Sequence, residues 1–172
     1  MWRYLSTLLI FLFPFLSEAQ SENLFENASI IADNIEIDAK GNLLANGNVE
    51  IRHNEHILKA NRISYSKESD TLLVNGPLSL TDSSGNVTQA NSAVFKDDFE
   101  EAVLLATKVI LEKQLEISAD ELISNTNDES NFNRVSATSC VTCENEKPFW
   151  QIKAKKVTHN EKSKTIYFYN AY

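Results

Sequence analysis

The stretch LLANGNVEI, residues 43–51, returns as LLVNGPLSL at residues 72–80, a shift of 29 positions with no gap. Both copies read Leu-Leu-x-Asn-Gly-x-Φ-x-Φ, where Φ is apolar. Self-similarity at such a period marks a chain built from stacked supersecondary units. A second series accompanies the first: ADNIEID from Ala32, ANRISYS from Ala60, ANSAVFK from Ala90, ADELIS from Ala119 and AKKVTHN from Ala154. The alanines stand 28, 30, 29 and 35 residues apart, so five units fill residues 20–172.

Each unit reads as strand, turn, strand. Ile35 and Ile37 alternate with Glu36 and Asp38, and Ala39-Lys40-Gly41-Asn42 supplies turn chemistry before the return strand. That strand places Leu43, Ala45, Gly47, Val49 and Ile51 on one face, and Leu44, Asn46, Asn48, Glu50 and Arg52 on the other. The second unit repeats the pattern with Leu72, Val74, Gly76, Leu78 and Leu80. Period-two alternation gives each strand one buried and one wet face. Gly47 and Gly76, in mid-strand, mark a bulge or a close approach, and Pro77 removes a ladder donor. Residues 97–113, DDFEEAVLLATKVILEK, have helical composition, yet Val103, Leu105, Thr107, Val109 and Leu111 keep the period of two, and the repeat register makes them a strand. Residues 125–134, NTNDESNFNR, read as a long polar hairpin loop. The expected fold is all-β: about ten strands in five strand-turn-strand repeats, curled into a β-jellyroll or short solenoid around an apolar interior.

Composition narrows the function. The formal charge is −8 over 172 residues, which argues against nucleic acid as partner, since that would call for a basic face. Residues 1–19 read as a signal peptide: Arg3 near the start, an apolar run from Leu5 to Leu16 too short to span a bilayer, then Ser17-Glu18-Ala19 with small residues at the cleavage positions. The mature chain, residues 20–172, therefore meets an oxidising compartment. The two cysteines, Cys140 and Cys143, are three apart. A redox pair would sit at a helix N-terminus, and a zinc site would need four ligands where His159 is the one downstream histidine. The compartment favours a disulfide.

No nucleophile elbow, zinc-binding His-Glu-x-x-His or phosphate-cradling glycine loop occurs, so the chain reads as a non-enzyme without cofactor or metal. His53 and His56 read as solvated turn residues. Asp97-Asp98 and Glu100-Glu101 read as a solvated hairpin end, because the residue order of a calcium loop is missing. Lys153, Lys155, Lys156, Lys162 and Lys164 give the C-terminal hairpin a basic character; a solvated face is the simple reading, a contact with phosphates the sharper one.

The unit Ala-[Asp/Asn]-x-Φ-x-[Φ/Tyr] followed by Leu-x-x-x-Gly-x-Val-x-Φ resembles the OstA-like family of lipopolysaccharide transport proteins. Its members are the periplasmic bridge protein LptA, the inner-membrane-anchored LptC and the N-terminal domain of the outer-membrane protein LptD. The best matches are IADNIEIDAKGNLLANGNVEI (31–51) and LKANRISYSKESDTLLVNGPLSL (58–80). Ser139-Cys140-Val141-Thr142-Cys143 followed by Trp150-Gln151-Ile152-Lys153-Ala154 looks like the end of the LptD-type domain, ahead of a barrel that residues 1–172 do not include. The resemblance implies a periplasmic carrier, associated with the outer membrane, that hands lipopolysaccharide from the bridge to the barrel. Lipid A acyl chains would ride inside on Ile35, Ile37, Leu43, Val49, Ile51, Leu72, Val74, Leu78 and Leu80. The implied partners are an LptA-like bridge protein, joined by edge-strand pairing, and in the full-length protein the barrel with its plug lipoprotein. It also implies that Cys140 and Cys143 pair either with each other or with cysteines of the barrel. A stand-alone LptA-like bridge and a structural surface β-solenoid are the alternatives.

Overall fold

The computed structural model describes residues 28–96, 99, 101–112, 114–125, 129–139, 148 and 150–172. They form eleven strands: β1 (Ser29–Ile31), β2 (Asn34–Ile37), β3 (Leu43–His53), β4 (His56–Ser66), β5 (Thr71–Thr81), β6 (Val87–Lys96), β7 (Glu101–Leu111), β8 (Leu115–Asn125), β9 (Glu129–Thr138), β10 (Ile152–Asn160) and β11 (Thr165–Ala171). From β3 onward each strand pairs antiparallel with the next in one sheet, while β1 and β2 both pair with β3. The chain is all-β, as the alternation predicts.

Nearly every long strand is interrupted in its middle, and the interruptions line up. Between β3 and β4 the register moves from Asn46↔Arg62 to Val49↔Ala60, which leaves Gly47 and Asn48 out of the ladder. Matching shifts fall between Ala60 and Ile63 in β4 and between Asn75 and Leu78 in β5. Farther along, the break is a single left-handed residue: Ala106 (φ 50°) in β7, Arg134 (φ 52°) in β9 and Asn170 (φ 53°) in β11. A left-handed residue in a strand bends it and adds twist. Aligned across the sheet, these bends make a crease.

The crease is where the sequence repeats fall. Asn-Gly of the first series lies on it in β3 and β5. The alanines of the second series meet it in β4, β6, β8 and β10, and Ala32-Asp33 divides β1 from β2. Some acidic residues that follow those alanines fasten the left-handed residue next door. The Asp33 backbone N–H donates to the Gly47 carbonyl (2.9 Å), and its carboxylate accepts from the Asn48 amide (3.0 Å). Asp120 pairs in the same way with the Arg134 guanidinium.

Two leaves result. The upper leaf holds β2, the N-terminal halves of β3, β5, β7, β9 and β11, and the C-terminal halves of β4, β6, β8 and β10. The lower leaf holds β1 and the remaining halves. Their inner faces meet in one apolar cluster, whose largest fully buried members are Phe95, Phe132, Ile51, Leu58 and Ile63.

The structure corrects three expectations. In β7 the inward residues are Ala102 and Leu104 before the bend, then Thr107 and Val109 after it; Val103 and Leu105 point outward. A strict period of two puts Val103, Leu105, Thr107, Val109 and Leu111 on one face, but Ala106 shifts the phase by one. Residues 129–134 are strand and not loop: β8 runs to Asn125 and β9 begins at Glu129, with Phe132 buried. The polar residues around Phe132 occupy the wet face, so composition concealed the alternation. Thirdly, His53 is no solvated turn residue. It is 3% exposed and belongs to the seam described next.

Candidate functional site

The apolar interior between the leaves is the candidate site. Of the residues expected to line it, Val49, Ile51, Leu72, Val74 and Leu78 are buried in the cluster, and Leu43 and Leu80 pack against it partly buried. Ile35 and Ile37 stand opposite Ala45 and Leu43 on the same face of the sheet, yet they are 41% and 68% exposed. Of the expected lining, these two alone stand open.

A skew between the leaves explains this. Along the side opposite the crease, the β6–β7 turn of the upper leaf meets the β3–β4 turn of the lower leaf, three strands earlier. Phe99 of the first turn stacks on His53 (ring centroids 6.0 Å) and His56 (6.3 Å) of the second, and leans on Phe95 (4.9 Å). The same offset brings the β10–β11 turn beside the β7–β8 turn. Among the described residues, upper-leaf β2 therefore faces no lower-leaf strand, and Ile35 and Ile37 are exposed. At the far end, the lower-leaf part of β10 has no upper counterpart among the described residues, and Ile152 is 37% exposed. As the described residues form it, the interior is shut in its middle and open at two diagonal ends.

The two sides of this interior differ in how they are held. At the crease the backbone runs continuously from leaf to leaf. On the seam, every strand pairing of the described residues stays between neighbours within a leaf. Side-chain contacts such as the Phe99 stack therefore close the seam. Such contacts can part without breaking a β ladder.

The outer faces carry ion pairs and lysines beside the exposed Leu73, Val103 and Leu105. Glu50 binds Arg52 (2.7 Å) and Lys59 (3.3 Å), and the hydrogen bond from Arg52, then that from Lys59, holds its carboxyl below the ordinary carboxylate range. Lys153, Lys155 and Lys156 are exposed along β10, with the Lys156 ammonium 5.9 Å from the centre of the Tyr169 ring. Glu101 is exposed at the start of β7. Cys140, Cys143, Asp97, Asp98, Glu100 and residues 1–19 lie outside the described residues, so the disulfide, acidic-cluster and signal-peptide expectations stay with the sequence. Among the described residues no group of three or more His, Cys, Asp or Glu side chains is arranged to hold a metal ion.

Sequence reasoning missed the seam. Its signal was available as His53, Phe95 and Phe99, three large rings at strand ends, but nothing in a one-dimensional pattern brings the two turns together. It also missed a duplicated turn, Asp-x-x-Gly-Asn, at residues 38–42 and 82–86. In each copy the Asp carboxylate accepts from the Asn backbone N–H (2.9 and 2.8 Å) and the Asn amide (2.9 and 2.8 Å). The Asn carbonyl then accepts from the next turn, at Lys67 or Glu112 (3.0 Å each).

No protein-family profile matches the sequence, and no curated protein matches it. Among solved structures the chain is similar to LptH from Pseudomonas aeruginosa, described as the LptA-homologous periplasmic component of the lipopolysaccharide transport device. The identity is 9%, the match covers 82% of this chain and 80% of that one, and the TM-score is 0.33.

Proposed function

We propose that the chain is a periplasmic carrier of lipopolysaccharide that takes lipid A acyl chains between its leaves while the sugar stays in water. One observation carries the reading: two leaves with apolar inner faces are joined by backbone on one side and, among the described residues, by side-chain contact alone on the other. Acyl chains drawn between them gain roughly 0.8 kcal/mol per buried methylene. Repetition of one strand unit supplies many similar sites along the path and no single tight one, which suits transfer. Within this reading, the Cys140–Ala154 segment and its resemblance favour the domain that delivers to an outer-membrane barrel. A stand-alone bridge would share the rest of the architecture. The interior residues are buried from solvent, so a loaded state requires the leaves to separate.

The test is photocrosslinking in cells. Benzoylphenylalanine placed singly at Val49 or Leu78, both inward, should label with lipopolysaccharide, and at Glu50 or Ser79, both outward, should not. Absence of labelling at both inward sites in folded protein would favour a structural solenoid. The N-terminal edge, β1 and β2 with the uncovered Ile35 and Ile37, is the proposed docking edge for an LptA-like bridge. Proline at Ile35 should weaken that association while the later strands stay folded; unchanged affinity would move docking elsewhere.

A further inference from the structure

The seam is not closed evenly. Between the β7–β8 turn of the lower leaf and the β10–β11 turn of the upper leaf lies a cavity of about 470 Å³. Its apolar lining is Leu111, Leu115 and Ile166, and all three pack, partly buried, against the central core. Its rim is polar, with Asn86, Glu112 and Lys164 among the residues around it. The lower rim is built in advance. Asp82 fixes Asn86 through two 2.8 Å hydrogen bonds, and the Asn86 carbonyl accepts the Glu112 backbone N–H at 3.0 Å, which ties the β5–β6 turn to the β7–β8 turn.

We infer that this cavity is a lateral port through which an acyl chain of the lipid passes between water and the interior. This rests on the carrier reading above and adds a route to it. Away from the open ends, an amphiphile cannot cross a closed wall, because its polar head must stay in water while its chains are buried. It needs an opening flush with the apolar interior and rimmed by hydrogen-bonding groups. The cavity supplies both, and its volume lies within the range of roughly 300–1,000 Å³ usual for small-molecule sites. Its floor continues into the core, so the occupant that fits is a linear, flexible, apolar chain able to extend between the leaves. A rigid or polar ligand would stop at the rim. Strand pairing leaves this side free to widen, which it does not do at the crease.

The experiment follows labelling by purified lipopolysaccharide over time. Benzoylphenylalanine at Leu115 should crosslink to it. In a second protein carrying the photoprobe at Val49, Leu111→Trp should fill the port and slow labelling several-fold, with the same final extent. Because a tryptophan on the floor can disturb folding, Gln114→Trp on the exposed rim turn is the companion variant, and it should slow labelling in the same sense. Labelling at Val49 at the unaltered rate in both tryptophan variants, with none at Leu115, would overturn the port and leave the carrier standing, its lipid then using the open ends. No labelling at either Val49 or Leu115 would remove the carrier reading, and the port with it.

Discussion

Replacing Gly47 with alanine should damage the crease more than the same change at Gly76, although both glycines stand in the repeated Leu-Leu-x-Asn-Gly motif. Both have left-handed backbones, φ +75° and +100°, so each alanine incurs a conformational penalty of about 1–2 kcal/mol. Their surroundings differ. A Cβ at Gly76 would meet nothing within 4 Å, whereas one at Gly47 would lie 2.3 Å from the Asp33 Oδ2 atom. Asp33 must then withdraw, giving up its 3.0 Å bond from Asn48 and straining the 2.9 Å backbone bond to Gly47. An exposed hydrogen bond contributes about 0.5–1.5 kcal/mol. Gly47→Ala should thus cost about 2–3 kcal/mol and Gly76→Ala about 1–2 kcal/mol. Equilibrium urea unfolding measures both. For a chain of this size, the Gly47 variant should also melt lower by roughly 4–12 °C. The cycle with Asp33→Gly, which removes the carboxylate and also the Asp33 Cβ that would stand 3.0 Å from the added methyl, isolates the cause: in that background the surplus cost at Gly47 should shrink to a few tenths of a kcal/mol. Equal costs at the two glycines, or a surplus that survives Asp33→Gly, would refute the account of how the crease is fastened.

The remaining predictions address the face assignment, a turn and the cysteines. Leu104→Asp should unfold the domain, because it buries an unpaired carboxylate, while Leu105→Asp should change stability by no more than about 0.5 kcal/mol. Their exposures are 1% and 47%, and thermal melts of the two would expose any error in the phase shift at Ala106. The Asp38 carboxyl titrates below its ordinary value of 3.8, chiefly because it accepts the Asn42 backbone N–H and then the Asn42 amide. A depressed carboxyl stabilises the fold above its unfolded-state pKa and loses that contribution as pH falls through the folded value. The destabilisation by Asp38→Ala should therefore be present at pH 7 and fade in strongly acidic solution; a difference that did not change with pH would contradict the turn assignment. We further propose that Cys140 and Cys143 are both disulfide-bonded in protein recovered from the periplasm, so alkylation without reductant should modify neither. Quantitative labelling of both would reject this.

How far the sequence led can be judged residue by residue. The inward positions Val49, Ile51, Leu72, Val74 and Leu78 follow from alternation alone, because each lies within one uninterrupted strand segment. Alternation fails at the crease only where the step across it is odd. The last inward residue before the bend and the first one after it are four apart in β3 and β5 (Ala45 and Val49, Val74 and Leu78). In β7 and β9 they are three apart (Leu104 and Thr107, Phe132 and Val135). The four-residue step preserves parity, so the Asn-Gly copies read correctly; the three-residue step inverts it, so Leu105 was misplaced. Ile35 and Ile37 show a different limit. Their face was legible, but their exposure depends on a three-strand skew between leaves, which no local pattern encodes. Composition hid Phe132 because its neighbours are the polar residues of a wet face.

The central claim, that the leaves part at the seam to take acyl chains, is tested most directly by a distance across it. Nitroxides at Glu55 in the β3–β4 turn and Lys96 at the end of β6 would report the gap by pulsed electron paramagnetic resonance, with Cys140 and Cys143 replaced by serine. A second pair, Glu55 and Ser83, lies within the lower leaf and serves as the control. Saturating lipopolysaccharide should lengthen the first distance and leave the second unchanged. A first distance that stays fixed while lipopolysaccharide is bound would contradict the account.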